Sequence, residues 1–261
     1  MNNEPKLVLS GESLKAIGNL ISMVPSKIFG SIPLKFENGV VKIEATSSSF
    51  GYIISFERKI EDLVVSEPFM INFLADKSID KIFNSFNTIE FFDEYIHAIK
   101  LNKNGEVQTD ILLTLLETEE VSEVPHSIEE IFDFIKQSNE DIDEEEKFTT
   151  TIDNIIINDF LSSLKVLAEQ DKFIVEVKKN GVFEIIGEDY TKTKVSYNFG
   201  KVKTKKPFKA IYKEHLPNIM NEVKNSKVCE QSTFFVTPSV IIIEPESKFE
   251  GDHYIYVVAS V

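Results

Sequence analysis

Apolar and polar residues alternate in short runs along much of the chain, and this period-two pattern predicts strands that bury one face. The clearest signal is an Asn-Gly pair between two such runs, which occurs in the segments Asn38–Ile43 and Asn180–Ile185. Both residues of the pair tolerate the positive φ of a type I′ turn, so each segment predicts a β-hairpin. The hairpins lie 142 residues apart in a chain of 261, which suggests that the protein is an internal duplication of one unit.

Helical spacing of apolar residues appears in four other segments. Ser10 is a candidate N-cap for the first of these helices, and Asn158 or Asp159 for the third. The predicted helices cover residues 13–21, 78–86, 160–167 and 216–223.

The order of these elements repeats through the chain. Each hairpin is followed by a strand, a Pro-Phe pair, a short strand, a second helix and three closing strands, at an offset of about 139 to 147 residues. The sequence therefore predicts an α+β protein of four β-α-β-β-β modules, two in each of two similar domains. The predicted boundaries are residues 1–117 and 148–261, with a connector at residues 118–147.

Charge is segregated along the chain, whose net charge is −15. The segment Glu117–Lys147 holds thirteen acidic and two basic residues, whereas Lys192–Lys213 holds eight lysines and no acid. The lysine run fits two interpretations: strand edges protected against aggregation, or a surface for an anionic partner. The acidic segment is either an ordinary charged linker or a docking surface for partner peptides.

Catalytic and metal-binding motifs are missing from the sequence. The histidines are scattered, Cys229 has no Cys or His near it in sequence, and no nucleotide-binding loop or nucleophile elbow is present. The pair Glu188-Asp189 resembles a site most, but it follows Gly187 and is better explained as a turn signal. We therefore expect no enzymatic activity and no cofactor or metal; a duplicated hydrolase whose site is not visible in the sequence is the alternative.

The compartment is predicted from further absences. No apolar run reaches the ~18 residues that cross a bilayer, no signal peptide is present, and a single cysteine excludes a disulfide framework. We expect a soluble cytoplasmic protein with no membrane partner, in the host cytoplasm if the protein is viral.

The C-terminal segment Lys248–Ala259 closely resembles the end of DNA sliding clamps of T-even-type bacteriophages, where a Phe-Glu-Gly-Glu-His segment leads into a Tyr-Val-Val-Ala strand. The segment Val175–Gly187 resembles the strand–glycine–strand unit of the second domain in the same family. The module order is similar, less specifically, to the proliferating cell nuclear antigen type of clamp.

This resemblance implies a DNA-clamp fold in a homotrimeric ring, with helices lining the hole and sheets outside. Such a ring encircles duplex DNA without reading its sequence, tethers a DNA polymerase and needs an ATP-dependent clamp loader. The alternative is a clamp-fold scaffold in a checkpoint or virion that binds proteins and does not encircle DNA. The lysines expected to face DNA are Lys15, Lys77, Lys81, Lys165, Lys201, Lys203, Lys205, Lys206 and Lys224.

The resemblance also implies an apolar pocket for partner peptides, formed near the connector and the last strand. For each candidate, ordinary core or strand packing is the competing interpretation. The candidates are Ile128, Phe132, Pro238, Val257 and Ala259.

Overall fold

The computed structural model describes residues 4–47, 51–116, 147–168, 170–204, 206–213, 215–226 and 228–260. The described residues form sixteen strands and four α-helices in the order β-α-β-β-β, repeated four times. The first two modules are β1 Leu7–Ser10, α1 Gly11–Ser22, β2 Ser31–Glu37, β3 Val40–Thr46 and β4 Tyr52–Lys59, then β5 Phe69–Leu74, α2 Lys77–Ser85, β6 Thr88–Phe91, β7 Tyr95–Leu101 and β8 Val107–Thr114. The last two are β9 Phe148–Asp153, α3 Asn154–Ser163, β10 Gln170–Val177, β11 Val182–Asp189 and β12 Lys194–Lys201, then β13 Phe208–Lys213, α4 Leu216–Asn225, β14 Cys229–Val236, β15 Val240–Ser247 and β16 His253–Ala259. The predicted α+β fold of four such modules is confirmed.

The modules group into two compact units that exchange short segments. Unit 1 contains the described residues of Met1–Ala45, Ser55–Val124 and Phe249–His253, and unit 2 those of Thr46–Ile54, Pro125–Lys248 and Tyr254–Val261. The boundaries predicted at residues 117 and 148 stay predictions, because nearly all of the connector lies outside the described residues.

Unit 1 contains two strand sets, in the orders β1-β6-β7-β8 and β5-β2-β3-β4. Helix α2 buries Phe83 against Phe73 and Phe91, at ring-centroid distances of 5.9 and 6.2 Å. Helices α1 and α2 pack side by side, because Gly18 has no side chain: a Cβ there would lie 2.8 Å from the Asn84 amide. The apolar faces of both helices are thus used for packing, and their polar faces remain exposed.

Unit 2 repeats this plan with the orders β12-β11-β10-β13 and β9-β14-β15-β16, and residues 52–54 of β4 extend the second set beside β16. Helix α3 buries Phe160 against Tyr197 and Phe199 of β12, with ring centroids 5.7 and 5.3 Å apart. Helix α4 packs beside α3. Each unit therefore has one pair of neighbouring helices.

The two Asn-Gly segments form hairpin turns as predicted, but the turns are not of type I′, because Lys192 is the only non-glycine residue with positive φ among the described residues, and Asn38 and Asn180 therefore lack it. Gly39 and Gly181 have φ angles of 75° and 79°, a conformation that costs little only for glycine. In each copy the turn glycine accepts a hydrogen bond from the residue that follows the third strand of the module. Ile60, after β4, donates its N–H to the Gly39 carbonyl, and Val202, after β12, donates to the Gly181 carbonyl, both at 2.9 Å. The duplication thus extends to individual backbone hydrogen bonds.

The start of α3 differs from the prediction. The helix begins at Asn154, after Asp153, and ends at Ser163, where a short 3₁₀ turn follows. Three consecutive isoleucines open it, and such β-branched residues favour strands. Burial overrides this preference, because Ile157 and Phe160, spaced three residues apart, are both fully buried. Asn158 is therefore an exposed residue on the helix surface and not an N-cap.

Candidate functional site

Five predicted DNA-binding lysines lie on the helices or directly after one. Lys15 and Lys81 are exposed on α1 and α2, Lys165 is exposed in the 3₁₀ turn after α3, and Lys224 lies in the last turn of α4. Lys77 is the first residue of α2. The lysines are thus divided between the two helix pairs, with Lys15, Lys77 and Lys81 in unit 1 and Lys165 and Lys224 in unit 2.

The charge on these helices is nearly balanced. The five lysines share the helices and the 3₁₀ turn with four carboxylates: Glu12, Asp80, Asp159 and Glu222. One of the lysines is directly engaged, since Lys15 Nζ lies 2.8 Å from Glu12 Oε1. The positive charge on the helices is therefore smaller than the lysine positions alone imply.

The other predicted lysines lie at one end of β12 and on the segment that follows. Lys201 ends β12, and Lys203 and Lys206 are exposed on the connection to β13. Lys205 lies outside the described residues. This group is on a strand end and a loop of unit 2, not on a helix.

Part of the lysine run is compensated by one acid, which corrects the expectation of eight unopposed cations. Glu188 immediately precedes the run and is 3% exposed. Its carboxylate oxygens lie 3.2 Å from Lys172 Nζ, 3.3 Å from Lys192 Nζ and 3.2 Å from Lys194 Nζ. The sequence did not reveal this cluster, because strand pairing brings Lys172 of β10 beside Glu188 of β11.

The turn after Glu188 is held by Asp189. Its Oδ1 accepts hydrogen bonds from the Thr191 hydroxyl at 2.6 Å, the Thr191 N–H at 2.8 Å and the Thr193 N–H at 3.0 Å. These bonds, the Thr191 hydroxyl bond foremost, lower the pKa of the Asp189 carboxyl. They also hold Lys192 at a φ of 69°, an unfavourable conformation for a residue with a side chain. The pair Glu188-Asp189 is thus a turn, as predicted.

Glu188 makes the folded state sensitive to acid. The hydrogen bond from Lys194, against the opposing effect of burial, and then those from Lys172 and Lys192 lower its pKa from 4.5 to about 2. Because the folded-state pKa is depressed, the ionised carboxylate stabilises the fold above pH 4.5, and that contribution is lost as the pH falls from 4.5 towards 2. We expect Glu188→Gln to lower the urea midpoint at neutral pH, by an amount that shrinks as the pH falls through this range.

The matched control is Glu250→Gln, which changes an exposed glutamate in a turn of unit 1. Its urea midpoint should follow that of the unchanged protein at every pH. A Glu188→Gln deficit that stays constant between neutral pH and pH 3 would show that the lysine cluster contributes nothing to the acid response.

The predicted peptide pocket is described only in part. Ile128 and Phe132 lie outside the described residues. Val257 and Ala259 lie on β16, where Val257 is 2% exposed and Ala259 pairs with Val240 of β15. Pro238 is half-buried in the turn between β14 and β15. These three residues come together at one end of the β14-β15-β16 sheet in unit 2.

An apolar face surrounds Val257. Ile53, Val240 and Val257 form a buried cluster, against which Ile242 and Ile255 pack while partly exposed. The register places Ile242 opposite Val257, and residues two apart on a strand share a face. These neighbours are not predictable from the sequence, because both faces of β15 and β16 are apolar and alternation alone does not identify the outer face.

The C-terminal segment that carried the resemblance encloses the chain's single arginine. Arg58 is 5% exposed, with its guanidinium 4.2 Å from the centre of the Phe249 ring and its Nε 3.8 Å from Asp252 Oδ2. Asp252 Oδ1 also accepts the Lys59 N–H at 3.0 Å. A polar cavity of about 370 Å³ lies beside this cluster, between α1 and the end of β4. Three acidic and three basic residues line it, so it has no surplus of either charge.

No helix among the described residues is long and apolar enough to span a membrane. Within the same residues, no group of three or more His, Cys, Asp or Glu side chains is placed to hold a metal ion.

Comparison with solved structures identifies the architecture. The structure matches the crystal structure of Proliferating Cellular Nuclear Antigen from Entamoeba histolytica with a TM-score of 0.65, over 98% of this chain and 99% of that chain. The chain has the DNA-clamp fold. The two sequences are only 12% identical, and neither a protein-family profile nor a curated protein sequence matches the chain. The clamp fold predicted from the module order is confirmed, whereas the resemblance to phage clamps stays a prediction.

Proposed function

We propose that this protein is a DNA sliding clamp: a non-enzymatic ring of three copies that encircles duplex DNA and tethers a DNA polymerase to it. The observation that carries the proposal is an asymmetry between duplicated sheets. In unit 2, β4 and β16 are neighbours in strand order, whereas their equivalents, β12 and β8, are each the last strand of a sheet among the described residues. The duplication therefore leaves two edges that can repeat the β4·β16 pairing only between copies.

The duplication also predicts the register of that pairing. The Ala259 N–H donates to the Gly51 carbonyl at 2.9 Å. Thr114 is the equivalent of Ala259, because each pairs with the first residue of the preceding strand. Lys192 is the equivalent of Gly51, because each comes directly before a residue, Thr193 or Tyr52, whose carbonyl accepts the hydrogen bond that closes the turn. Between copies, Thr114 then lies opposite Lys192.

Charge supports this arrangement. When this pairing is taken as antiparallel, like the β15·β16 and β7·β8 pairs, Leu112 lies opposite Lys194 two residues along, and Asp110 lies diagonally within reach of the same lysine. An edge with an exposed acid thus meets an edge with exposed lysines. Because β8 and β12 are different surfaces of one chain, the contact is head-to-tail, and such contacts form closed rings when the rotation closes.

DNA within the ring would face the paired helices. Lys15, Lys81, Lys165 and Lys224 supply cations for phosphates there, and a contact of this kind needs no base readout. The net charge of −15 keeps the DNA away from the rest of the surface. The apolar face around Val257, on β15 and β16, is the surface for the polymerase, and a partner tethered there stays at high effective concentration. A separate ATP-dependent protein would load the ring onto closed DNA. We place the clamp in the cytoplasm, which is that of the host if the protein is viral.

The test combines particle mass with DNA topology. Light scattering should give a particle of about 89 kDa, three times the chain mass of 29.7 kDa. Without a loader, the ring should thread onto linear duplex through a free end, stay on it after both ends are blocked with streptavidin, and leave when one end is cut away.

Covalently closed circular DNA is the control, because a closed ring has no end to thread. Equal retention on closed circles and blocked linear duplex would indicate ordinary electrostatic binding and contradict the proposal. A monomer at every concentration that never binds DNA would instead favour a clamp-fold scaffold for proteins.

A further inference from the structure

The exposed helix surfaces of the two units differ at equivalent positions. Helices α1 and α3 each begin directly after the first strand of their unit, and Lys15 and Asn158 both stand four residues after the helix start. Both are exposed. Unit 2 therefore presents an amide where unit 1 presents an ammonium group.

Helices α2 and α4, the second helices of the two units, show the same difference between lysine and asparagine. Phe83 of α2 and Val223 of α4 are fully buried, and the residues two positions earlier are Lys81 and Asn221. Lys81 is exposed and Asn221 half-exposed. At both exchanged positions, asparagine in unit 2 replaces lysine in unit 1.

The Asn158 amide is oriented by its neighbour. Lys224 Nζ donates to Asn158 Oδ1 at 3.4 Å, which joins α3 to α4 and leaves the two Nδ2 hydrogens of Asn158 directed elsewhere. Asn221 lies one turn before Lys224 on α4. Asn221 is half-exposed there, on the same helix as the lysine that contacts Asn158.

We propose that Asn158 and Asn221 donate hydrogen bonds to phosphates of the encircled duplex, as uncharged DNA contacts in unit 2. Asp159 and Glu222 equal Lys165 and Lys224 in number on this surface, so its lysines attract phosphates less strongly than unopposed cations would. Amide donors also recognise phosphate oxygens and carry no sequence information. Contacts made by these asparagines are then less sensitive to salt than contacts made by the lysines.

This inference rests on the proposed function, and its test separates the two. Binding of a labelled 30-base-pair duplex is measured by fluorescence anisotropy across a series of salt concentrations, with particle mass and thermal unfolding confirming that each variant is intact. The double variant Asn158→Ala/Asn221→Ala should bind about tenfold more weakly at every salt concentration, because two hydrogen bonds are lost, with an unchanged slope of log K against log salt. The double variant Lys15→Ala/Lys81→Ala should lose affinity and also flatten that slope, by about 0.9 for each phosphate contact removed.

Asn104→Ala is the matched control, since Asn104 is exposed in the turn between β7 and β8, away from the helices. It should bind as the unchanged protein does. If the unchanged protein binds but the double asparagine variant binds equally well, or changes the slope, the inference is overturned and the proposed function stands. If the unchanged protein binds no duplex even at low salt, the proposed function itself fails.

Discussion

In the proposed ring, Leu112→Pro should convert the particle of three chains into a monomer of 29.7 kDa and abolish the expected retention on end-blocked linear DNA. Leu115, three residues away in sequence, donates its N–H to the carbonyl of Glu94, the residue before β7, at 2.9 Å. Donors alternate in direction along a strand, so the Leu112 N–H points to the open edge of β8. Proline removes that donor and places its ring where a neighbouring copy would pair.

The substitution should leave the fold of each copy intact. Leu112 is 67% exposed, so its side chain contributes little to the core. Proline is accepted on edge strands where the missing N–H faces solvent. Circular dichroism should therefore be unchanged while light scattering reports the smaller mass.

Leu112→Ser is the control, because serine shortens the side chain and keeps the N–H. We expect it to remain a particle of three chains. If Leu112→Pro stays a trimer, β8 is not the subunit edge; if Leu112→Ser also dissociates, the side chain rather than strand pairing holds the copies together.

The fold was predictable because its signals are local and occur twice. An Asn-Gly turn between alternating runs is recognisable within about eight residues, and the same hairpin recurs as Asn38–Ile43 and Asn180–Ile185. Module order then follows by comparing the two copies. Secondary-structure propensity gave the wrong result where burial favoured another structure, as at the isoleucines near the start of α3, which favour a strand but form a helix.

The candidate site was less predictable because it depends on contacts between distant parts of the chain. Eight lysines near one another in sequence indicated an uncompensated patch, but the acid that binds Lys192 and Lys194 lies just before the run, and Lys172 reaches it from another strand. The equivalence of Lys15 and Asn158 was not predictable either, because it depends on the observed start of α3 at Asn154, which differs from the predicted start.

The motif that gave the resemblance also shows this limit. Its similarity to clamp sequences was visible, but its role was not, because its partner is Arg58, 191 residues before Phe249. In the structure the segment Phe249–His253 belongs to unit 1, whereas the residues on either side belong to unit 2. Only the folded chain shows that this turn encloses a buried cation.

Arg58→Ala should be among the most destabilising single substitutions in unit 1, lowering the free energy of unfolding by about 3 kcal/mol. The change removes the guanidinium that covers one face of Phe249 and leaves the Asp252 carboxylate, 8% exposed, without its cation. Urea unfolding at fixed chain concentration measures the loss, and the Leu112→Pro background avoids a contribution from assembly.

Two variants decide whether the charge pair is responsible. Glu61→Ala, an exposed change in the turn after β4, should cost less than ~0.5 kcal/mol. Asp252→Asn should recover part of the loss when it is combined with Arg58→Ala, because the double variant no longer buries a carboxylate that has lost the Arg58 cation. Strict additivity of the two substitutions would mean that the pairing of Arg58 with Asp252 contributes nothing to the loss. In that case the stability that Arg58 gives comes from its other contacts, among which is the Phe249 ring, and not from this charge pair.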